Sequence, residues 1–254
     1  MKLDWSPLQV ELQRWRKDGL TLPVWWRDDD ATDPSAALDR LINLSSEVSM
    51  PVHLAVIPRN ATQALAKTIA DTAQLHPVVH GWSHTNFQPS EGPKSEFGDA
   101  RALDLRCEEA AEGLRRLTVL CGDQLVAMFV PPWNRVDLDL VEKLPALGYQ
   151  SLSTSHPKTD ALLVHGLRQI NTHIDPLYWR PSKNLSDPQA IIEKAVRLLK
   201  KRRQGKSDNT EPFGLLTHHM AHFPEVWEFC RQFWMEFNDG PVEIFQHPKG
   251  QIGV

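Results

Sequence analysis

The feature that most limits how this chain can fold is an alternation. Short apolar runs end abruptly in Asp, His or Pro, and helix-like segments separate them. "LPVWWR" ends in Asp28, Asp29 and Asp30, and "PVHLAVI" covers 51–57. "PVVH" ends at His80, "QLVAMFV" leads into "PPWN", "FGLLT" leads into His218, and "PVEIF" covers 241–245. Continuous apolar runs of this length suit strands buried on both faces. Helical patterns lie between them, near residues 6–18, 33–47, 61–74, 97–118, 136–146, 187–202 and 222–236. Ser6 is the expected N-cap of the first, with Pro7 in its first turn and Gly19 as its stop. Shorter strands are expected near 149–152 and 167–172. Strands that alternate with helices imply βαβ units and a parallel sheet, so the fold class is α/β. The polar residues repeatedly follow a strand's last residue, which is where barrels of parallel strands carry their sites.

The chain has 254 residues, and no linker or internal repeat divides it, so a single domain over 1–254 is expected. Its net charge of −4, from 28 basic and 32 acidic residues, offers no broad basic surface for nucleic acid. The run "KKRRQGK" reads as the solvated C-terminal end of a helix, where cations suit the helix dipole. Cys107, Cys121 and Cys230 are too few and too scattered for a disulfide framework or a thiolate metal site. No segment approaches the roughly 20 apolar residues of a membrane helix. The N-terminal stretch lacks an apolar leader, so a cytoplasmic location is expected.

Four stretches could carry chemistry. In "WWRDDDATD", adjacent carboxylates repel unless a cation or an arginine such as Arg27 offsets them. Successive strand residues point to opposite faces, so Asp28 and Asp29 would do different jobs. One could bind a metal while the other stays free as a base. In "HGWSH", His80 and His84 have the i, i+4 spacing that shares one face of a helical turn. Two imidazoles and a carboxylate form a metal site that leaves positions open for water. In "FVPPWNR", Pro131 and Pro132 have no N–H, so Trp133 supplies the first free backbone donor, as an oxyanion hole requires. "GLLTHHMAH" delivers His218 and His219 at a strand end, with His222 just beyond. The polar stretch "TNFQPSEGPKSEFG" that follows His84 is long enough to form a rim or lid.

Taken in order, these stretches resemble the polysaccharide deacetylase family, the NodB-like carbohydrate esterases. The resemblance runs from Asp28 and Asp29, through His80 and His84 and the Pro131-Pro132-Trp133 segment, to His218. It implies a distorted (β/α) barrel of about seven parallel strands and a metal-dependent N-deacetylase. It implies Asp28 as catalytic base, Asp29, His80 and His84 as metal ligands, and His218 as catalytic acid. It implies one divalent metal, zinc first, with cobalt, manganese, iron or nickel as alternatives. Trp133 and Pro132 would border the substrate; the family motif that partners the acid has no clean match, and the nearest candidate is Asp175 of "NTHIDPLYW", with a plain strand-end turn as the other reading.

The chain departs from the family pattern in several places. Val130 stands where members commonly carry arginine, and Arg27 or Arg135 could replace that charge. Asp30 stands where many have glycine, which leaves a one-residue shift of the metal ligand open. His219 leaves the identity of the acid open. The expected activity is removal of acetyl groups from a small-molecule or oligosaccharide substrate bearing N-acetyl sugars. The alternatives are a metal-dependent amidohydrolase on a non-sugar amide and a catalytically silent saccharide-binding barrel.

Overall fold

The apolar runs form a single parallel sheet. The computed structural model describes residues 3–158, 164–179, 184–245 and 247. The strands are β1 (Leu22–Ala31), β2 (Val52–Val56), β3 (Leu75–His80), β4 (Met128–Val130), β5 (Ser151–Leu152), β6 (Arg168–Gln169), β9 (Phe213–Thr217) and β10 (Val242–Ile244). Two further strands, β7 (Leu177–Tyr178) and β8 (Asn184–Leu185), make a separate antiparallel ladder that the sequence pattern does not announce. Seven strands follow the order β10-β1-β2-β3-β4-β5-β6, and β9 pairs beside β1. Every pairing in this sheet is parallel. Parallel bridges Ser155–Thr172 and Ile174–Leu215 carry the sheet from the β5 side round toward β9. The result is a distorted, incompletely closed (β/α) barrel.

The helices are α1 (Ser6–Lys17), α2 (Ala36–Glu47), α3 (Gln63–Ala70), α4 (Leu103–Cys121), α5 (Leu138–Val141), α6 (Pro188–Arg203) and α7 (Pro224–Asn238). Helix α2 starts where Ser35 accepts a hydrogen bond from the Leu38 N–H, a cap worth about 1 kcal/mol. It buries Leu38, Leu41, Leu44 and Ser45, the i, i+3 spacing of one helical face. Ser6 is the first residue of α1 rather than its cap, a place taken by Trp5. Helix α4 begins at Leu103 instead of near 97, because 95–98 is buried irregular backbone and Phe97 bridges Val136.

Strand alternation divides the core in two. Val24 and Trp26 of β1 face the helices, while Trp25 joins Ala55, Val78, Val126, Met128, Val130 and Ile170 inside the barrel. The three cysteines are free, and no helix among the described residues is long and apolar enough to cross a membrane. Because the strands are parallel, the C-terminal ends of β1, β3, β4 and β9 meet at one end of the barrel.

Candidate active site

On β1, Arg27 and Asp29 share the inner face and Asp28 points the other way, as a period of two requires. Asp30 would then follow Asp28 outward, but it does not. The pairing of β1 with β2 slips between Asp28 and Ala31, and Asp30 has φ +78°. Such a bulge re-aims a side chain. Here it turns the Asp30 carboxylate toward the end of β3. Asp30 Oδ1 lies 3.1 Å from His80 Nε2 and 3.3 Å from His84 Nε2. One ligand atom from each of the three residues falls within 4.8 Å of the others. Asp29, the ligand expected from the resemblance, is outside this group.

The protonation logic of the cluster fits a cation. His80 Nδ1 lies 3.0 Å from the Val130 carbonyl, so this nitrogen carries a proton and donates. In a neutral His80 the Nε2 lone pair would face the Asp30 carboxylate. A proton or a metal ion between them relieves that repulsion. A carboxylate and two imidazoles, one anchored by a backbone carbonyl on its far nitrogen, make a donor set suited to zinc and similar ions. Burial works to raise the Asp30 pKa, but the His80 hydrogen bond and the histidine charges hold it well below the usual carboxylate range. Burial works to lower the His80 pKa, yet Asp29 and Asp30 raise it above that of an ordinary imidazole. Burial and the charge of His80 push His84 down.

His84 reaches the cluster through a tight loop rather than a helical turn. Gly81 has φ +56°, and a Cβ there would overlap Glu96 Oε2 and Pro132 Cδ. Glu96 is fully buried and accepts from the Trp82 N–H (3.2 Å), the Ser83 N–H (2.7 Å) and the Ser83 hydroxyl (2.7 Å). The far end of the polar stretch after His84 thus pins the turn that delivers His84. Pro132 is buried against this turn, and the Trp133 ring lies 4.3 Å from that of His84. Asp30, His84, Trp133 and Asn134 all have positive φ. Strain of this kind costs about 1–3 kcal/mol per residue and persists where the surroundings fix it.

The second part of the site is an arginine fork. Arg27 is fully buried. Its Nε and Nη2 donate to Asp29 Oδ1 and Oδ2, each at 2.9 Å. Nη2 also donates to Asn134 Oδ1 (2.6 Å), and Nη1 donates to Ser153 Oγ (2.7 Å). Glu96 and Asn134 lie in stretches the sequence singles out, but no local pattern marks them as partners of Ser83 or Arg27, and Ser153 lies in no such stretch. His218 Nε2 stands 3.9 Å from Asp29 Oδ2, and the Trp179 ring meets the His218 ring edge-on at 4.6 Å. Asp175 is not ion-paired with His218. It accepts from Trp179 Nε1 and from the Leu177 N–H, both at 2.9 Å, and so supports the ring that touches His218.

Asp28, the expected base, lies behind this arrangement on the helix side and is fully buried. It accepts from His219 Nδ1 (2.5 Å), the Thr217 hydroxyl (2.5 Å) and the His219 N–H (3.1 Å). Burial works to raise its pKa, but the His219 charge and these hydrogen bonds bring it below the usual carboxylate value. His219 is correspondingly raised by Asp28 against the effect of burial. Of the two histidines after β9, His218 therefore faces Asp29 and His219 faces Asp28. A cleft of about 500 Å³ adjoins the site at Asn134, the Arg27 partner, and is also lined by Gln88, Pro93, Ser95, Arg135 and Thr154. Four residues of the polar stretch after His84, Gln88, Pro93, Ser95 and Gly98, line it.

No family profile and no curated protein sequence matches the chain. Solved structures do. A family 4 carbohydrate esterase from Streptomyces lividans, in complex with acetate, aligns with TM-score 0.58 and 12% identity, over 89% of this chain and 92% of that one. A CE4 esterase from Streptococcus mutans aligns with TM-score 0.59 and 11% identity, over 92% of this chain and 91% of that one. A CE4 family pseudoenzyme from Bacillus anthracis aligns with TM-score 0.56 and 13% identity, over 87% of this chain and 63% of that one. The chain has the NodB-like fold of the family 4 carbohydrate esterases and polysaccharide deacetylases.

Proposed function

We propose that the protein is a metal-dependent hydrolase that removes acetyl groups from an N-acetylated sugar. The observation that carries this reading is the convergence of two imidazole Nε2 atoms on one Asp30 oxygen, at 3.1 and 3.3 Å. The arginine-bound carboxylate of Asp29 and the imidazole of His218 lie beside it. In this reading the metal ligands are Asp30, His80 and His84. A divalent ion held there, zinc for preference, would polarise the acyl oxygen and lower the pKa of water.

The chain's own residues supply the rest. Asp29 takes a proton from water as the water oxygen bonds to the acyl carbon. Arg27 fixes both oxygens of Asp29 and provides the positive charge that Val130 cannot. The Trp133 N–H donates to the acyl oxygen as it gains negative charge. His218, whose Nε2 lies 3.9 Å from Asp29 Oδ2, gives a proton to the departing nitrogen as the C–N bond breaks, leaving acetate and an amine. Trp133 and Trp179 offer ring faces to a saccharide. A cytoplasmic location would favour a biosynthetic precursor over a mature wall polymer.

The test is elemental analysis of the purified protein beside an acetate-release screen on N-acetyl sugars. One bound metal and metal-dependent release are expected. Stoichiometric metal without release from any sugar would turn attention to other amides. The pseudoenzyme among the structural neighbours and the Val130 departure favour a second reading, a silent saccharide-binding barrel. Saccharide binding with no acetate released would establish it.

A further inference from the structure

Asp28 is the one member of the aspartate run that neither the metal cluster nor the arginine fork uses, yet it is fully buried and bonded on both carboxylate oxygens. The register of β1 against β9 places it opposite Thr217. Asp28 Oδ2 accepts from the Thr217 hydroxyl at 2.5 Å and from the His219 N–H at 3.1 Å, and Oδ1 accepts from His219 Nδ1 at 2.5 Å. Thr217 Oγ1 is itself held by Trp26 Nε1 at 2.8 Å. One carboxylate therefore grips the residues on both sides of His218.

His218 has little else to aim it. Its Nδ1 is buried with no hydrogen-bond partner among the described residues. Its N–H donates to His222 Nε2 at 3.2 Å, and Trp179 meets its ring edge-on. The ring's direction toward Asp29 thus depends on the backbone at 217–219, where His218 has φ −142° and ψ 88°. We infer that Asp28 and His219 form a clamp that positions the His218 imidazole over Asp29. Both are positioning residues, and they act through His218. The inference rests on the reading of His218 as proton donor. Catalytic groups are sensitive to such placement, since a displacement of about 1 Å can cost about a hundredfold in rate.

The test is a double-mutant cycle on the metal-loaded protein. Asp28→Asn is expected to lower kcat for acetate release by about ten- to a hundredfold while KM and bound metal stay unchanged. His219→Leu should do the same. His219→Asn keeps an N–H near the Nδ1 position and should restore most of kcat. In a His218→Ala background, Asp28→Asn should have no further effect. Wild-type kcat in Asp28→Asn, or an equal loss in both backgrounds, would overturn the clamp. Unchanged acetate release in His218→Ala would instead overturn the reading of His218 as acid. The clamp then has a readout of its own, the ring resonances of His218 in NMR spectra. Asp28→Asn should shift or broaden them and leave those of His80 in place, and unmoved His218 signals would refute the clamp whether or not acetate is released. If Asp28→Asn fails to fold, Thr217→Val and His219→Leu carry the same comparison.

Discussion

Arg27 and Asp29 stand two residues apart on the inner face of β1 and are joined by two parallel hydrogen bonds of 2.9 Å each. A planar guanidinium matches a carboxylate in this way, and a lysine ammonium cannot. The pair lies in the barrel end, where neither partner can fall back on water. Removing one partner of such a pair leaves an uncompensated buried charge and costs about 3–5 kcal/mol. Arg27→Gln should therefore unfold at distinctly lower urea concentration than the wild type. Arg27→Lys should keep more of the stability and all of the metal but lose kcat, because Asp29 is no longer held by both oxygens. Wild-type stability in Arg27→Gln would show that Asp29 does not depend on the fork.

Gly81 tests the support of the proposed metal cluster. Its φ of +56° suits glycine, and a methyl group would collide with Glu96 and Pro132. Gly81→Ala is expected to displace the turn that carries His84 and weaken metal binding by about 10–100-fold, as loss of outer support does elsewhere. A competition titration with a chromophoric zinc chelator reads this directly. Unchanged affinity would mean that His84 is not a ligand or that the turn adapts freely.

Stability against pH reports on Asp28 and His219. Folding lowers the pKa of Asp28 from 3.8, so its contribution is present above that value and is lost as pH falls through the folded pKa. Folding raises the pKa of His219 from 6.5, so its contribution is full below 6.5 and is lost as pH rises through the folded pKa. The pair is at full strength between 3.8 and 6.5. His222, the other imidazole acting on Asp28, is pushed down to about 4, chiefly by burial, and is neutral over most of that window. Asp28→Asn should cost about 1–3 kcal/mol there, the penalty for strained or unmet buried hydrogen bonds. The difference from wild type should narrow at higher pH. A difference independent of pH would show that the pair is not ionic.

Much of this was legible in the sequence. The central strands announce themselves because their apolar runs are buried on both sides and stop at Asp, His or Pro. His80 and His84 are legible as a candidate pair because they follow such a stop, and the structure brings both to Asp30. The roles within Asp28, Asp29 and Asp30 are not. A period of two assigns Asp30 to the same side as Asp28, and only the bulge and the positive φ at Asp30 reverse it. Asp is among the residues that tolerate this backbone, so no glycine marks the place. His84 shows the same limit, since the spacing of a helical turn is produced here by a glycine turn. Glu96 lies 13 residues beyond Ser83, to which it is bonded, and no local pattern links them. Asp175 was expected to pair with the acid directly; it bonds Trp179 instead, whose ring meets His218, and that link is a matter of tertiary structure.

The central claim is the division of labour between Asp29 and Asp30. It is tested most directly by measuring bound zinc and acetate release together in Asp29→Asn and Asp30→Asn. Asp30→Asn should lose the metal, and its activity with it. Asp29→Asn should keep near-stoichiometric metal while its kcat falls by about 10²–10⁴-fold, the usual contribution of a general base. Metal retained in Asp30→Asn and lost in Asp29→Asn would contradict the account.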